Sequence, residues 1–265
     1  MKKLFSLIGL ATIMTLSFII SEKTTLAIKD VDEIMNQIKE KTSEKNIPPE
    51  NAIIKNDTIR PGIDGRQIDI QESYNRMRTI NMYNEKYLIY KNIEPDISIN
   101  KIYDKYIIGG NPKKKSISIV FIINENNNIE YILKILGQTN IKVTFIADKY
   151  WSENNNSIKE QIKKQGHTIE ILNNGIGNKY CFIETKTKET LEKCSKQQKH
   201  TIIPNINIKS TPLITLKKNL TSGSIISLMT NNTTTQELKM IIDYINKKGY
   251  TILNLEQHLS EKNNN

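Results

Sequence analysis

The apolar run from Ser116 to Ile123 (SISIVFII) constrains the fold of this chain more than any other segment. It is rich in β-branched residues and is bounded by the polar residues Lys115 and Asn124. A short uninterrupted run of this composition predicts a strand that is buried on both faces. Because such strands occur in parallel sheets covered by helices, we expect an α/β fold.

The sequence after this strand alternates between strand and helix patterns. Thr234 and Glu237 have the spacing of a capping box, which predicts that a helix begins there. About six or seven such units favour a small or incomplete (β/α) barrel over an open doubly wound sheet, and barrels carry their functional side chains at the carboxyl ends of the strands. The predicted strands are 116–123, 142–147, 168–172, 201–203, 224–229 and 251–255, and the predicted helices are 129–139, 157–165, 188–198, 234–248 and a short last helix around Leu259.

Residues 1–27 predict an export signal or an N-terminal membrane anchor. Lys2 and Lys3 precede an apolar run from Leu4 to Ile20, and small residues before Ala27 allow cleavage after it. The run is also close to the lower length limit for spanning a bilayer, so an uncleaved anchor is the alternative. In both cases we expect the rest of the chain on the extracytoplasmic side, secreted or anchored in the membrane.

The remaining sequence predicts an N-terminal extension followed by a main domain. Residues 28–111 are assigned to the extension, which comprises a short amphipathic helix at 28–42, a linker from Ile47 and an irregular segment from Ile59 that wraps the main domain. Residues 112–265 are assigned to the (β/α) barrel.

The chain is basic, with a formal net charge of +10 over 265 residues. Lys, Ile and Asn are abundant throughout, as AT-rich coding in a low-GC Gram-positive-type cell would produce, so the charge is either compositional or a surface that attracts teichoic acids or anionic lipid headgroups. No nucleic acid partner is expected, because the chain is exported and has no basic patch interleaved with aromatic residues. Cys181 and Cys194 do not have zinc-site spacing. A disulfide is permitted outside the cell, but we expect two packed thiols.

Five segments of the chain carry a resemblance to a known family, and they are Ile117–Phe121, Lys142–Ile146, Ile162–Ile169, Gly223–Leu228 and Lys247–Ile252. In the same order, they resemble segments of the polysaccharide deacetylase family, the NodB-homology domain of carbohydrate esterase family 4. The resemblance covers about residues 116–260 and implies a distorted seven-stranded (β/α) barrel. It also implies a divalent metal such as zinc, held by an aspartate and two histidines, and a metal-activated water that attacks the N-acetyl carbonyl of a glycan. In the family, a second aspartate acts as base and a later histidine as acid.

The functional positions of the family are occupied by apolar residues in this chain. The two aspartates align with Ile122 and Ile123, the two histidines with Leu172 and Ile176, and the late histidine with Met229. Isoleucine, leucine and methionine offer no ligand for a hard or borderline metal. We therefore expect no catalytic residue, no metal and no cofactor at these positions.

The sequence offers little from which a metal site could be rebuilt. His167 precedes a strand, at the end where barrels carry stability and not chemistry, and the other candidates are too scattered to converge. They are His200, His258, Glu125, Asp148 and Glu170.

A different set of polar and aromatic residues follows the strands and suits a neutral sugar through hydrogen bonds and stacking. The alternatives are that Asn only favours turns and that Trp151 is a packing residue. The candidate binding residues are Asn173, Asn178, Tyr180, Asn231 and Trp151.

The sequence thus predicts an extracytoplasmic, deacetylase-like protein without catalytic activity, which binds cell-wall glycan or an anionic wall polymer or scaffolds an envelope assembly. The alternatives are a metal-dependent deacetylase or other hydrolase of C–N bonds in N-acetylated polysaccharide with a non-standard site, and a purely structural envelope or spore-surface component. If the N-terminal segment is not cleaved, the membrane is a further partner.

Overall fold

The computed structural model describes residues 14, 15, 17, 32–123 and 128–263. It divides the chain into two compact units. The small unit comprises residues 1–48 and 65–93, and the main unit comprises residues 49–64 and 94–265. The predicted signal or anchor at 1–27 lies outside the described residues apart from Met14, Thr15 and Ser17. Within the described ranges, no helix has both the length and the apolar character needed to cross a bilayer.

The helices and strands are as follows. The described helices are α1 (Glu33–Lys45), α2 (Ile70–Ile80), α3 (Ile129–Thr139), α4 (Lys149–Asn154), α5 (Asn156–Lys164), α6 (Lys188–Lys196), α7 (Pro212–Asn219), α8 (Asn232–Lys247) and α9 (Leu255–Leu259). The strands are β1 (Ile53–Lys55), β2 (Thr58–Arg60), β3 (Gly65–Ile68), β4 (Tyr90–Ile93), β5 (Tyr106–Ile107), β6 (Ser116–Ile122), β7 (Thr144–Asp148), β8 (Thr168–Leu172), β9 (Tyr180–Phe182), β10 (His200–Ile202), β11 (Ile206–Ile208), β12 (Ile225–Met229) and β13 (Thr251–Leu253).

The small unit combines helices α1 and α2 with the antiparallel pair of β3 and β4. Asp32 caps α1, because its Oδ1 accepts the Ile34 N–H at 2.9 Å. Its Oδ2 accepts the Tyr74 hydroxyl at 2.9 Å, which ties the start of α1 to α2. The buried side chains of this unit are Met35, Ile38, Ile68, Tyr74, Met77 and Leu88.

The first sheet of the main unit is parallel throughout and has the strand order β11-β12-β6-β7-β8. Strand β13 also pairs with β6, over its first three residues, Ser116 to Ser118. Strand β6 therefore pairs with three other strands, and all of its residues except the half-buried Ile122 are buried, in agreement with the buried strand that the sequence predicts. Helices α3 and α8 pack together over this sheet, and α7 packs against α8.

The second sheet of the main unit has the order β1-β2-β5-β10-β9. Strands β1 and β2 are antiparallel, and the other neighbours are parallel. Strands β1, β2 and β5 come from the region that the sequence assigns to an N-terminal extension. The boundary expected at residues 111/112 thus does not coincide with the division of the structure, because residues 49–64 and 94–111 belong to the main unit.

Alternate residues of β6 face two different cores. Ile117, Ile119 and Phe121 pack in a core between the first sheet and the helices, which we call the helix-side core. Val120 packs in a second core, which contains residues of both sheets and of α9 and which we call the inter-sheet core. The two sheets therefore face each other across the inter-sheet core. The α/β class predicted from the sequence is confirmed.

The described strands do not close into a barrel. Strands β8 and β9 are the edges at which the two sheets meet, and no ladder joins them. Among the described residues, this gap is spanned by an isolated bridge between Ile176 and Cys181, by a 2.9 Å bond from the Phe182 N–H to the Gly175 carbonyl and by the Glu170 side chain of β8, which accepts the Tyr180 N–H of β9 at 3.5 Å. We call this gap the seam.

Two local expectations from the sequence are wrong. The segment after Ile59 was expected to be irregular, but Asp69 caps the regular helix α2 by accepting the Glu72 N–H at 3.1 Å. Helix α8 begins two residues earlier than the Thr234–Glu237 box predicts, because Asn231 is its N-cap. Glu237 instead accepts the backbone N–H of Leu213 at 2.8 Å.

One carboxylate near the end of the chain joins separate parts of the main unit. Glu261 is buried, and its Oε1 accepts the N–H groups of Gly62 at 2.6 Å and Ile99 at 3.1 Å. Its Oε2 accepts the Ser98 hydroxyl. Because each of these donors is paired, the carboxylate is buried with its hydrogen bonds satisfied.

Cys181 and Cys194 form a disulfide, which corrects the expectation of two packed thiols. Strand β9 and helix α6 place their Cα atoms 6.4 Å apart, within the usual range for a disulfide. Both residues are fully buried. The bond closes a loop with a sequence separation of 13 residues at the edge of the second sheet.

We predict that replacing both cysteines by alanine lowers the free energy of unfolding by about 3 kcal/mol, because a loop of this length then regains its entropy in the unfolded chain. Urea denaturation followed by Trp151 fluorescence measures this change. Reductant should lower the stability of the unaltered protein and leave that of the double variant unchanged. Two titratable thiols in the unreduced native protein would contradict the prediction.

Candidate functional site

The structure brings three of the five apolar family positions to the carboxyl ends of neighbouring strands. Ile122 is the last residue of β6 and is in register with Met229 of β12 and with Ile146 of β7. Leu172 ends β8 and is in register with Asp148, the last residue of β7. We call this end of the sheet the mouth. Ile122, Leu172 and Met229 are half-buried there.

The other two family positions are placed differently. Ile123 is only 7 % exposed and packs in the helix-side core, so it does not face the mouth. Ile176 lies in the loop after β8 and is half-buried, with backbone bridges to Asn173 and Cys181. None of these side chains can ligate a divalent metal, so the residues at the family positions do not fit the family's zinc.

A cavity of about 390 Å³ lies at the mouth, beside the end of β8. Its polar side chains are amides and ammonium groups, since neither a carboxylate nor an imidazole is among the described residues that line it. The Lys199 Nζ donates to the Gly177 carbonyl at 2.8 Å. The lining residues are Lys149, Ile171, Leu172, Asn173, Ile176, Gly177, Asn178 and Lys199.

The sequence identified two of these polar lining residues and missed the other two. Asn173 and Asn178 are both exposed at this cavity, as predicted for binding residues after the third strand. The lysines escaped notice because lysine is abundant throughout the chain. Lys149 follows β7 directly, next to Asp148. This place after a strand is the only feature of the sequence that indicates a role for Lys149 at the mouth.

Three of the five candidate binding residues do not line this cavity. Asn231 uses its side chain to cap α8 by accepting the Thr234 N–H at 2.9 Å. Trp151 is 9 % exposed and packs in the helix-side core, so it offers no free ring face for a sugar. Tyr180 lines a different cavity, at the seam.

The histidines and carboxylates considered for a rebuilt metal site do not converge. Within the described residues, no group of three His, Cys, Asp or Glu side chains is arranged to hold a metal ion. Asp148 caps α4 by accepting the Trp151 N–H at 2.6 Å. Glu170 accepts the Lys179 N–H at 2.7 Å. Glu125 lies outside the described residues.

Of the three histidines, His167 and His258 are buried and His200 is half-buried. His167 is 4 % exposed, and its Nδ1 accepts the Val143 N–H at 3.3 Å. His200 stacks on Tyr103 with ring centroids 4.7 Å apart. His258 lies 3.0 Å from the Ser116 hydroxyl through Nδ1. Burial lowers the pKa of each of these imidazoles to about 4, so they are neutral at pH 7.

The similarity to known sequences is limited. No protein-family model matches the chain. It is 29 % identical over 175 residues to the uncharacterized protein YlxY of Bacillus subtilis (strain 168). This match covers 64 % of the chain and 54 % of YlxY, so the chain spans about half the length of the curated relative it matches.

The similarity to solved structures is extensive. BA3943 from Bacillus anthracis, a CE4 family pseudoenzyme, is 20 % identical, with a TM-score of 0.65 over 86 % of this chain and 95 % of that protein. A mutant of BA3943 is described as having restored enzymatic activity. PdaA of Bacillus subtilis, a family 4 carbohydrate esterase, is 15 % identical, with a TM-score of 0.51 over 79 % of this chain and 96 % of PdaA. The chain therefore has the fold of the family 4 carbohydrate esterases.

We predict that acid destabilises this protein through His258, which is almost completely buried. Its pKa is about 4 in the folded protein, below the usual 6.5, so the unfolded chain binds the proton more tightly. The contribution of neutral His258 to the free energy of unfolding is complete above pH 6.5 and is lost as the pH falls to 4. The loss is about 3 kcal/mol. Urea denaturation at pH 7.5, 5.5 and 4.5 measures it.

The His258→Gln variant is the control for this prediction, because glutamine does not titrate. Carboxylates contribute their own acid dependence in both proteins, so the difference between the two curves isolates the imidazole. An equal dependence on pH in the variant and the unaltered protein would exclude His258 as the cause.

Proposed function

We propose that this chain is a degenerate, extracytoplasmic relative of the polysaccharide deacetylases, which lacks their activity and binds cell-wall glycan at its mouth. The observation that carries the proposal is the set of apolar side chains at the strand ends. Ile122, Leu172 and Met229 stand where the resemblance places a metal ligand and proton-transfer groups, while the fold around them is kept.

The chemistry of the mouth supports the absence of deacetylase activity. Hydrolysis of an N-acetyl group needs a water whose pKa is lowered by a metal, and a base and an acid that move protons. A half-buried wall of aliphatic side chains also disfavours a bare cation, because a desolvated charge without ligands is costly. BA3943, which has the same fold, is likewise described as a pseudoenzyme.

We predict that the purified protein retains no stoichiometric Zn²⁺, Co²⁺ or Mn²⁺ and releases no acetate from N-acetylglucosamine oligomers. Metal content after gel filtration and an acetate assay measure the two quantities. PdaA of Bacillus subtilis serves as a control protein of the same fold. Acetate release that a chelator abolishes would contradict the proposal and would favour a metal-dependent deacetylase with a non-standard site.

The polar groups of the mouth support a role in binding. The exposed amides of Asn173 and Asn178 can donate to and accept from sugar hydroxyl and acetamido groups. Lys149 and Lys199 add positive charge at the same cavity, which suits a wall polymer that carries carboxylate or phosphate. The Lys149 ammonium lies 3.7 Å from Glu153 in an exposed ion pair, and such a pair is weak enough to exchange.

Two features support an extracytoplasmic location. Lys2, Lys3 and the apolar run from Leu4 to Ile20 have the pattern of an export signal. The disulfide between Cys181 and Cys194 is typical of proteins that fold in an oxidising compartment. If the signal is not cleaved, the same segment anchors the protein in the membrane.

We predict that the double variant Asn173→Ala, Asn178→Ala binds isolated peptidoglycan at least about fivefold less tightly than the unaltered protein. Each lost amide removes hydrogen bonds worth about 0.5–1.5 kcal/mol. Pull-down at a series of salt concentrations measures retention, and added salt should weaken binding further if the lysines contribute.

The matched control is the double variant Asn219→Ala, Asn246→Ala, which removes two exposed amides from α7 and α8. It should bind peptidoglycan as the unaltered protein does. Equal retention of all three proteins would place the binding surface outside the mouth.

A further inference from the structure

The seam between β8 and β9 holds a second cavity, of about 260 Å³, which shares only Asn178 with the described lining of the cavity at the mouth. We call it the seam cavity. Its apolar walls come from Ile169, Tyr180 and Leu255. Thr144 and Thr168 lie at the starts of β7 and β8, so the cavity reaches the opposite end of these strands from the mouth.

The carboxylate of Glu170 faces this cavity with one oxygen unpaired. Glu170 is 8 % exposed, and both of its hydrogen bonds are accepted by Oε1, from the Lys179 N–H at 2.7 Å and the Tyr180 N–H at 3.5 Å. Its Oε2 has no partner among the described residues. This oxygen is open to the cavity, where a donor or a cation can reach it.

The loop before β9 is built to hold this carboxylate. A Cβ atom at Gly177 would approach Glu170 Oε1 to 2.2 Å, so only glycine lets the loop close over it. The Gly177 N–H in turn donates to the Tyr180 carbonyl at 2.9 Å. The position of the Glu170 side chain is therefore fixed from both sides.

The threonine hydroxyls of the cavity are already paired, so they do not call for a ligand. Thr144 Oγ1 accepts the Leu255 N–H at 2.9 Å and lies 2.8 Å from Thr168 Oγ1. The Lys179 ammonium is also paired, with Glu256 at 2.8 Å. Glu170 Oε2 is thus the acceptor that these neighbours leave unused.

A donor without a partner lies beside the same cavity. His167 lines it, and because its Nδ1 accepts the Val143 N–H, the proton of the neutral ring is on Nε2. This Nε2 is itself enclosed, and it has no hydrogen-bond partner among the described residues.

We propose that the seam cavity is a second binding site, which takes a small organic amine whose ammonium group binds Glu170 Oε2. The ammonium supplies both the charge and the donors that this carboxylate lacks. The ring of Tyr180 forms a wall against which the apolar part of the ligand packs. A cavity of about 260 Å³ accommodates a molecule of about one sugar ring. This inference does not depend on glycan binding at the mouth, because Glu170 and Tyr180 line the seam cavity and not the cavity at the mouth.

The first test uses the unaltered full chain and matched pairs of probes. Calorimetric titration should show binding of cyclohexylamine and not of cyclohexanol, and of glucosamine and not of N-acetylglucosamine. In nuclear magnetic resonance spectra, the Lys179 amide should shift on binding, because it donates to Glu170. Failure of both amines to bind, or equal binding of the charged and uncharged members of a pair, would overturn the proposal.

The two amines also distinguish the sources of such a ligand. Tighter binding of glucosamine supports an amino sugar, and tighter binding of cyclohexylamine supports an apolar amine. Either order is consistent with an ammonium site at Glu170.

The second test is the Glu170→Gln variant, which should weaken amine binding by about tenfold or more, since a charge-assisted hydrogen bond is lost. Glu189→Gln makes the same change of charge on exposed α6, outside the cavity, and should leave the affinity unchanged. Thermal melting shows whether Glu170→Gln folds, and the probe pairs decide the question if it does not. Undiminished binding by folded Glu170→Gln would overturn the proposal, while peptidoglycan retention reports the mouth separately.

Discussion

The pairing of β6 with three other strands is the constraint on which the main unit depends. The strand binds β12 along one edge and β7 and β13 along the other. Its side chains supply both the helix-side core and the inter-sheet core. Its last residue, Ile122, lies at the mouth and packs against the inter-sheet core, so the strand that organises the fold also contributes to the strand ends where the candidate site lies.

The long elements could be predicted from the sequence, because each has a pattern of its own. The predicted helix 129–139 and the predicted strand 168–172 agree with the structure to the residue. Strands β9 and β11 were missed because each has only three residues and is defined by pairing with a neighbour. Helix α2 was missed although Ile70, Tyr74 and Met77 have helical spacing, since this short helix follows a stretch with turn signals at Pro61-Gly62 and Asp64-Gly65. The open seam could not be predicted, since it depends on which strand edges fail to pair.

The candidate site was predictable only in part, for a similar reason. Sequence order indicates which residues follow a strand, so Asn173 and Asn178 could be placed at the mouth. It does not show how a side chain is already used. Asn231 caps a helix and Trp151 fills a core, and both uses depend on contacts with neighbouring residues in the fold. Conversely, Lys149 and Lys199 line the mouth but cannot be distinguished by sequence from the many other lysines.

The buried carboxylate of Glu261 has a consequence for how the chain folds during synthesis. Its donors are Gly62, Ser98 and Ile99, which are made early, whereas Glu261 itself is made about 160 residues after Ser98 and Ile99. Until residue 261 has left the ribosome, the main unit lacks the acceptor for three buried donors and cannot reach its final state. The main unit therefore completes these contacts only after residue 261 has been made.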